Sequence, residues 1–196
     1  MRSSSDLRPR GSDGRNPFSP RKRVSRLFFL SATLISAAVL WLGLRASLPG
    51  FTRLELTDGA TGKTILSAIL RDEDQVTLTW HNSQFNLDVT EGFIAVHGAL
   101  IQTEVTFADP RGLPPPVVAP RDVEDLYHTG GPFSAKGMHR SFSRIAYRVG
   151  EIGRPQMTIG TRVVDFKKEV GFGGEIVLTT KGASLADIIG QRLACP

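Results

Sequence analysis

The chain has 196 residues, of which 40% are hydrophobic and 22% charged, and its formal net charge is +5. The positive charge is concentrated in residues 1–26, where eight Arg and Lys residues accompany only Asp6 and Asp13. Because the rest of the chain has no basic excess with which to displace counterions from phosphates, a nucleic-acid-binding domain is excluded.

Residues 1–26 predict a disordered basic cytoplasmic tail, because Ser, Arg, Gly and Pro dominate them and leave little apolar surface to bury. Residues 27–44 then run without a charge. As a helix this run would rise about 27 Å, close to the thickness of a hydrocarbon core. We therefore predict a transmembrane signal-anchor over residues 27–46. A buried core helix is the alternative, which the preceding cationic cluster disfavours.

The charges beside the apolar run predict its orientation. Four cations precede it and two follow it closely: Arg21, Lys22, Arg23 and Arg26 on one side, Arg45 and Arg53 on the other. The positive-inside rule then places the N-terminus in the cytoplasm and the remaining domain on the outer side of the membrane. A cleaved signal peptide is the alternative, but the run ends without small residues at both the −3 and −1 positions, which favours an uncleaved anchor.

After the anchor, hydrophobic residues recur with a period of two, which is typical of strands buried on one face. Leu54 and Leu56 alternate with polar residues in one such stretch, and DGATGK then forms a turn before TILSAIL. In QVTLTW, the apolar residues Val76, Leu78 and Trp80 share one face and threonines occupy the other. The first part of the domain is therefore predicted to be built from antiparallel strands.

The dipeptide His97-Gly98 predicts a hairpin turn between FIAV and ALIQTEVTF. In the second of these strands, Ile101, Val105 and Phe107 are expected to share the buried face. Later strands are predicted at SRIAYRV, MTIGTRVVDF and GEIVLTT, with glycines between them. Short strands without intervening helices predict a mostly β fold, either an antiparallel β-sandwich or an open barrel, over residues 51–183.

Two stretches depart from the strand pattern. Residues 110–137 are rich in Pro and Gly and predict a long connection, of a length that is often functional or mobile. In SLADIIGQRLA, Ser184 and Asp187 have the spacing of a capping box, and four apolar residues share one helical face: Leu185, Ile188, Ile189 and Leu193. A short C-terminal helix or tail over residues 184–196 is expected to pack on the core. A docking helix for a membrane partner is the alternative.

The sequence contains no recognisable catalytic motif. Its four histidines lack the H-x-H or H-x-x-x-H spacing of metal ligands, and the nucleophile motif G-x-S-x-G is absent. The single cysteine, Cys195, excludes an intrachain disulfide and a cysteine-based zinc site. We therefore expect no metal and no cofactor. Glu91 opens a strand and could meet His81 or Asn82 across a ladder, either as a structural polar pair or as an acid or base.

The segment from Gln75 to about Thr180 resembles the bacterial domain-of-unknown-function family 1850, small proteins associated with TAXI-type TRAP transporters. The resemblance rests on the order of four motifs, TWHNS, EGFIAV, LIQTEVTF and RGLP. The family pattern has an aromatic residue, any residue, His and Ser in succession, whereas Asn82 stands here where His is expected. The candidate binding residues in these motifs are Trp80, His81, Asn82, Ser83, Glu91, Gly112, Leu113 and Pro114.

The resemblance implies a non-enzymatic, extracytoplasmic accessory protein that assists a TRAP-type transporter by contacting its permease or its binding protein. Together with the predicted anchor, it implies a location at a bacterial inner membrane, with the domain in the periplasm. Two alternatives come from the residues themselves. A β domain of this kind can enclose a small molecule or a lipid. A hydrolase would require His81, Ser83 and Glu91 to lie close together near residues 112–116.

Overall fold

A computed structural model describes residue 34 and residues 36–194 of the chain. The predicted cytoplasmic tail, residues 1–26, lies outside the described residues, and the predicted anchor, residues 27–46, is described only at residue 34 and from residue 36 onward. Residues 36–45 are helical. Within the described part, no helix has both the length and the apolar character needed to cross a membrane. The anchor stays a prediction from the sequence.

One compact unit spans Gly43–Pro196 and contains every described strand. The strands in chain order are β1 (Ser47–Asp58), β2 (Thr64–Arg71), β3 (Gln75–Asn82), β4 (Leu87–Val96), β5 (Ala99–Phe107), β6 (Val117–Val118), β7 (Phe133–Phe142), β8 (Arg144–Arg148), β9 (Gln156–Ile159), β10 (Arg162–Asp165) and β11 (Glu175–Ser184). The helices that accompany them are α1 (Val123–Thr129), α2 (Phe166–Val170) and α3 (Leu185–Ala194), with a 3-10 turn at Pro120–Asp122.

The strands form two sheets. The smaller sheet has the order β2-β1-β11-β8, and the larger has the order β10-β9-β3-β4-β5-β7-β6. Neighbouring strands are antiparallel except for the short parallel pair β6–β7. The prediction of a mostly β domain is confirmed, and neither sheet closes into a barrel.

A hydrophobic core with contributions from both sheets confirms the predicted alternation in β1 and β3. Leu54 and Leu56 of the smaller sheet are fully buried in one cluster with Val76 and Leu78 of the larger sheet. A second cluster lies under β5 and β7, where the rings of Phe107 and Phe133 stack with centroids 4.6 Å apart. Burial of these apolar faces is the main favourable contribution to folding.

The β4–β5 hairpin forms as predicted, but its second strand is not regular. His97 and Gly98 have φ values of 49° and 86° at the turn, the positive values that a tight two-residue hairpin requires. The pairing of β5 with β7 then shifts between Gln102 and Glu104. Because of this bulge Gln102, only 3% exposed, is buried, whereas Ile101 is partly exposed. The prediction that Ile101 shares the buried face with Val105 is therefore wrong.

Residues 110–137, predicted as a long connection, contain β6, the 3-10 turn, α1 and the beginning of β7. Val123, Leu126 and Tyr127 have the helical spacing i, i+3, i+4, and all three pack in the second core cluster. Phe133 also belongs to this cluster and is 1% exposed. The stretch departs from the strand pattern as predicted, but it is not one uninterrupted connection, because it contains a short amphipathic helix that the many Pro and Gly residues did not indicate.

The C-terminal helix is present as α3 and begins with the predicted capping box. The Ser184 backbone N–H donates to Asp187 Oδ2 over 2.9 Å, and the Asp187 N–H donates to Ser184 Oγ over 3.2 Å. The predicted core contact of its apolar face is wrong at Leu185 and Ile189, which are 41% and 45% exposed. The side chain of Leu193 lies outside the described part.

Candidate functional site

Glu91 is an acidic residue at an inward-facing position of the larger sheet. Along β4 the buried positions alternate, and Val89 and Phe93 on either side of Glu91 are 1% and 2% exposed. The register places Glu91 opposite Leu78 of β3 and opposite Val105 of β5, both of which are buried. Since residues opposite each other in a ladder share a face, the carboxylate points to the interior.

Two uncharged N–H groups hold the Glu91 carboxylate. Trp80 Nε1 donates to Oε1 over 2.9 Å, and Gln102 Nε2 donates to Oε2 over 2.8 Å. Among the described residues, no Lys, Arg or His forms an ion pair with this carboxylate. Arg140 acts on Glu91 only through its more distant charge, since its guanidinium donates to Glu124 over 2.7 Å. The negative charge is therefore hydrogen-bonded but not neutralised.

Burial raises the pKa of Glu91 above its usual range, although the hydrogen bond from Trp80 and the charge of Arg140 oppose the shift. Two tyrosines report the same environment. Burial raises the pKa of Tyr127 and of Tyr147, and the negative charge of Glu91 raises both further. Such perturbed groups cluster at functional sites more often than elsewhere.

Glu91 lines a pocket of about 270 Å³ between the larger sheet and edge strand β8 of the smaller sheet. We call it the Glu91 pocket, and its lining residues are Leu78, Trp80, Glu91, Ala146, Tyr147, Arg148, Gly150, Gly153 and Pro155. Gly150, Gly153 and Pro155 belong to the segment that connects β8 to β9. A hydrogen bond of 2.6 Å from the His81 N–H to the Gly153 carbonyl attaches this segment to the end of β3.

His81 lies on the opposite face of the larger sheet from Glu91. It is paired with Asp88 in the ladder, and its Nδ1 lies 2.8 Å from Asp88 Oδ1. This pair borders an outer groove of about 680 Å³ together with Thr79, Thr90 and other residues. The groove holds more solvent than the Glu91 pocket, but the Asp88 side chain is 83% exposed, so the charges there are already solvated.

The remaining predicted site residues form turns. Asn82 Oδ1 accepts hydrogen bonds from the backbone N–H groups of Gln84 and Phe85, and Ser83 is exposed in the same turn. A side chain that closes a turn in this way accounts for Asn at this position without any titrating role. In the RGLP motif, Gly112 has a φ of 76° and its N–H donates to the Asp109 carbonyl, which forms an exposed corner.

Leu113 and Pro114 follow in the same exposed corner, with Leu113 53% exposed. The corner is held by the Arg111 guanidinium, which donates to both carboxylate oxygens of Asp109. These hydrogen bonds hold the pKa of Asp109 at about 2. None of Gly112, Leu113 and Pro114 lines the Glu91 pocket, and a binding role for this corner stays a prediction.

The structure brings together Trp80 and Glu91 of the predicted site. The prediction that Glu91 meets His81 or Asn82 across a ladder is wrong, because the turn between β3 and β4 pairs them with Asp88 and Leu87 instead. His81 and Glu91 therefore project from opposite faces, and the three side chains proposed for a hydrolase do not converge on one pocket.

Sequence reasoning did not identify Gln102 or Tyr147 as members of the site. A signal for Gln102 was available, since Leu100 and Val105 are separated by an odd number of positions and share a buried face only if the strand bulges between them. A signal for Glu91 was the alternation of β4, where it occupies the position of an inward apolar residue. Nothing local marks Tyr147, which reaches the pocket from the other sheet.

The arrangement can retain a proton or bind a cation. A carboxylate with a raised pKa keeps its proton to higher pH, and a ligand cation in contact with it would replace that proton. Among the described residues, no group of three or more His, Cys, Asp and Glu side chains could hold a metal ion.

Comparisons with known proteins add no relative from which a function could be transferred. No protein-family model, no curated protein and no solved structure matches the chain.

Proposed function

We propose that the β domain binds a small organic cation, such as a primary amine, at Glu91 without transforming it. The observation that carries this proposal is the Glu91 carboxylate, which lines a pocket and is hydrogen-bonded by two neutral donors. Arg148 also lines the pocket, but no cationic side chain of the described residues forms an ion pair with Glu91. A buried charge is costly unless it is paired. A ligand ammonium group would provide the missing partner and add a charge-assisted hydrogen bond.

The walls of the pocket support an organic cation over a simple ion. Trp80 and Tyr147 both line it, and aromatic rings attract ammonium groups that lie over their faces. The volume of about 270 Å³ is slightly below the range for small-molecule sites, about 300–1,000 Å³. A small solute fits this volume better than a lipid chain does.

Binding is proposed to serve solute uptake at a bacterial inner membrane. The apolar run over residues 27–44 supports an anchored, periplasmic domain, and the resemblance to family 1850 supports an accessory role beside a TAXI-type TRAP transporter. The permease or the binding protein of such a system is the proposed partner. Co-purification from mildly solubilised membranes tests this setting, and recovery of the protein without either component would count against it.

Calorimetric titration of the detergent-solubilised full chain tests the ligand class. The panel contains primary amines, amino acids, quaternary ammonium compounds and carboxylates without an amine. Heat of binding is expected only from compounds that carry an ammonium group. Glu91→Gln removes the charge and should weaken the binding of the best cation by about 1.5–3 kcal/mol, or about 10- to 100-fold in Kd.

Glu104→Gln is the matched control for this substitution. Glu104 lies on β5 opposite Gly92, the neighbour of Glu91 on the other face of the sheet, so the control removes a carboxylate without changing the pocket. It should leave Kd unchanged. If Glu91→Gln and Glu104→Gln both bind the cation like the original protein, Glu91 is a structural core residue and the proposal fails.

A further inference from the structure

Helix α3 is attached to the smaller sheet by its polar side. The guanidinium of Arg53 on β1 donates to Asp187 Oδ1, and Gln191 Oε1 accepts a hydrogen bond of 2.9 Å from the Ile69 N–H of edge strand β2. Ala186 and Gly190, which directly precede Asp187 and Gln191, line the space between helix and sheet. Amphipathic helices usually pack the other way, with the apolar side toward the core.

Two residues of the apolar side of α3, Leu185 and Ile189, consequently face away from the domain, whereas Ile188 is partly buried. Leu185 and Ile189 lie one turn apart and are 41% and 45% exposed, so together they form an apolar patch on the surface. This orientation is fixed by specific contacts, since Asp187 belongs both to the capping box and to the pair with Arg53. The helix cannot turn Leu185 and Ile189 inward without breaking the Arg53–Asp187 pair and the hydrogen bond from the Ile69 N–H to Gln191.

The patch is located where the chain enters the domain. In the β1–β11 ladder, Ser47 at the start of β1 pairs with Ser184, which caps α3. Leu44, the last residue of the apolar run, precedes Ser47 by three residues, which span at most about 11 Å when fully extended. A bilayer that holds the apolar run would therefore lie within a short distance of the first turn of α3.

We propose that α3 rests in the surface of that bilayer, with Leu185 and Ile189 inserted among the lipids. A helix with a polar and an apolar side can lie in the interface with its apolar side about 5–10 Å deep. Lys181, exposed near the same end of β11, adds a positive charge that favours anionic headgroups. The inference rests on the membrane anchoring in the proposed function, but it does not depend on a ligand at Glu91.

Site-directed spin labelling of the full chain in lipid vesicles tests this placement. Cys195→Ser removes the only native cysteine, and Leu185→Cys or Ile189→Cys then places one label on the patch. Thr61→Cys is the control, because Thr61 is exposed in the turn at the opposite end of β1. Labels at residues 185 and 189 should be severalfold more accessible to oxygen, relative to a water-soluble nickel complex, than the label at residue 61.

Three outcomes would overturn the inference. Equal nickel accessibility at all three positions in vesicle-bound protein places the patch in water and leaves the anchor intact. Spin–spin broadening at residues 185 and 189 shows that a second copy covers the patch instead of lipid. Release of the protein from vesicles by alkaline carbonate would show that the chain is not anchored, which would also rule out the placement of α3 in the bilayer surface. The calorimetric test at Glu91 is unaffected by any of these results.

Discussion

The half-buried carboxylate of Glu91 predicts a specific dependence of stability on pH. Its pKa is raised above the usual value of 4.5, chiefly by burial, so the folded chain keeps this proton to a higher pH than the unfolded chain does. The stabilisation from the proton is complete below pH 4.5 and is lost as the pH rises through the folded-state pKa. Glu91→Gln, which cannot ionise, should lack this loss.

The expected difference in unfolding free energy between Glu91→Gln and the original protein is set by one titrating proton and by two hydrogen bonds. A single titrating group changes the free energy of unfolding by at most about 1.4 kcal/mol per pH unit. At pH 4 the protonated carboxyl and the Gln amide both offer one good acceptor and one donor to Trp80 and Gln102. The two proteins should therefore differ there by no more than about 1 kcal/mol. At pH 8 the stability of Glu91→Gln relative to the original protein should be higher than at pH 4.

Urea titrations of the full chain in detergent, followed by far-ultraviolet circular dichroism between pH 4 and 8, measure this difference. Glu104→Gln is the control, because it removes a carboxylate from the outer face of the sheet, beside Lys136 and outside the pocket; the effect of Glu91→Gln should differ from that of this control. A constant difference between Glu91→Gln and the original protein across this pH range would refute the argument that Glu91 is buried as an uncompensated charge.

Three further substitutions probe the fold and the pocket. Gly98→Ala places a Cβ 2.5 Å from the Gly182 backbone nitrogen at a φ of +86° and should cost about 3 kcal/mol or more of unfolding free energy. The control Gly62→Ala, at a φ of +71° in open space, should cost about 1 kcal/mol. Equal losses in the two variants would contradict the clash with Gly182. Ser184→Ala removes a cap and should cost about 1 kcal/mol in urea titrations, with no loss contradicting the role of the capping box. Gln102→Leu removes a donor from the Glu91 carboxylate and should move the pH-dependent loss of stability to higher pH, whereas an unchanged profile would show that this hydrogen bond does not favour the ionised form.

The sequence alone predicted the strands and several of their turns. Leu54 and Leu56 are buried as their alternation indicated, the His97-Gly98 turn forms, and Ser184 and Asp187 make the capping box. These features depend on residues close together in the chain, where periodicity and backbone preference act directly. The same reasoning named Trp80 and Glu91 as candidates, although it grouped them with residues on the other face.

Only the tertiary structure decided which of these residues meet. The bulge in β5 occurs in its pairing with both β4 and β7 and turns Gln102 toward Glu91, while Tyr147 arrives from the other sheet. The rotation of α3 is likewise set by distant partners, since Arg53 on β1 holds its polar side against the sheet. Local periodicity shows that a helix has two sides or that a strand has two faces. Long-range register and side-chain contacts determine which one is buried.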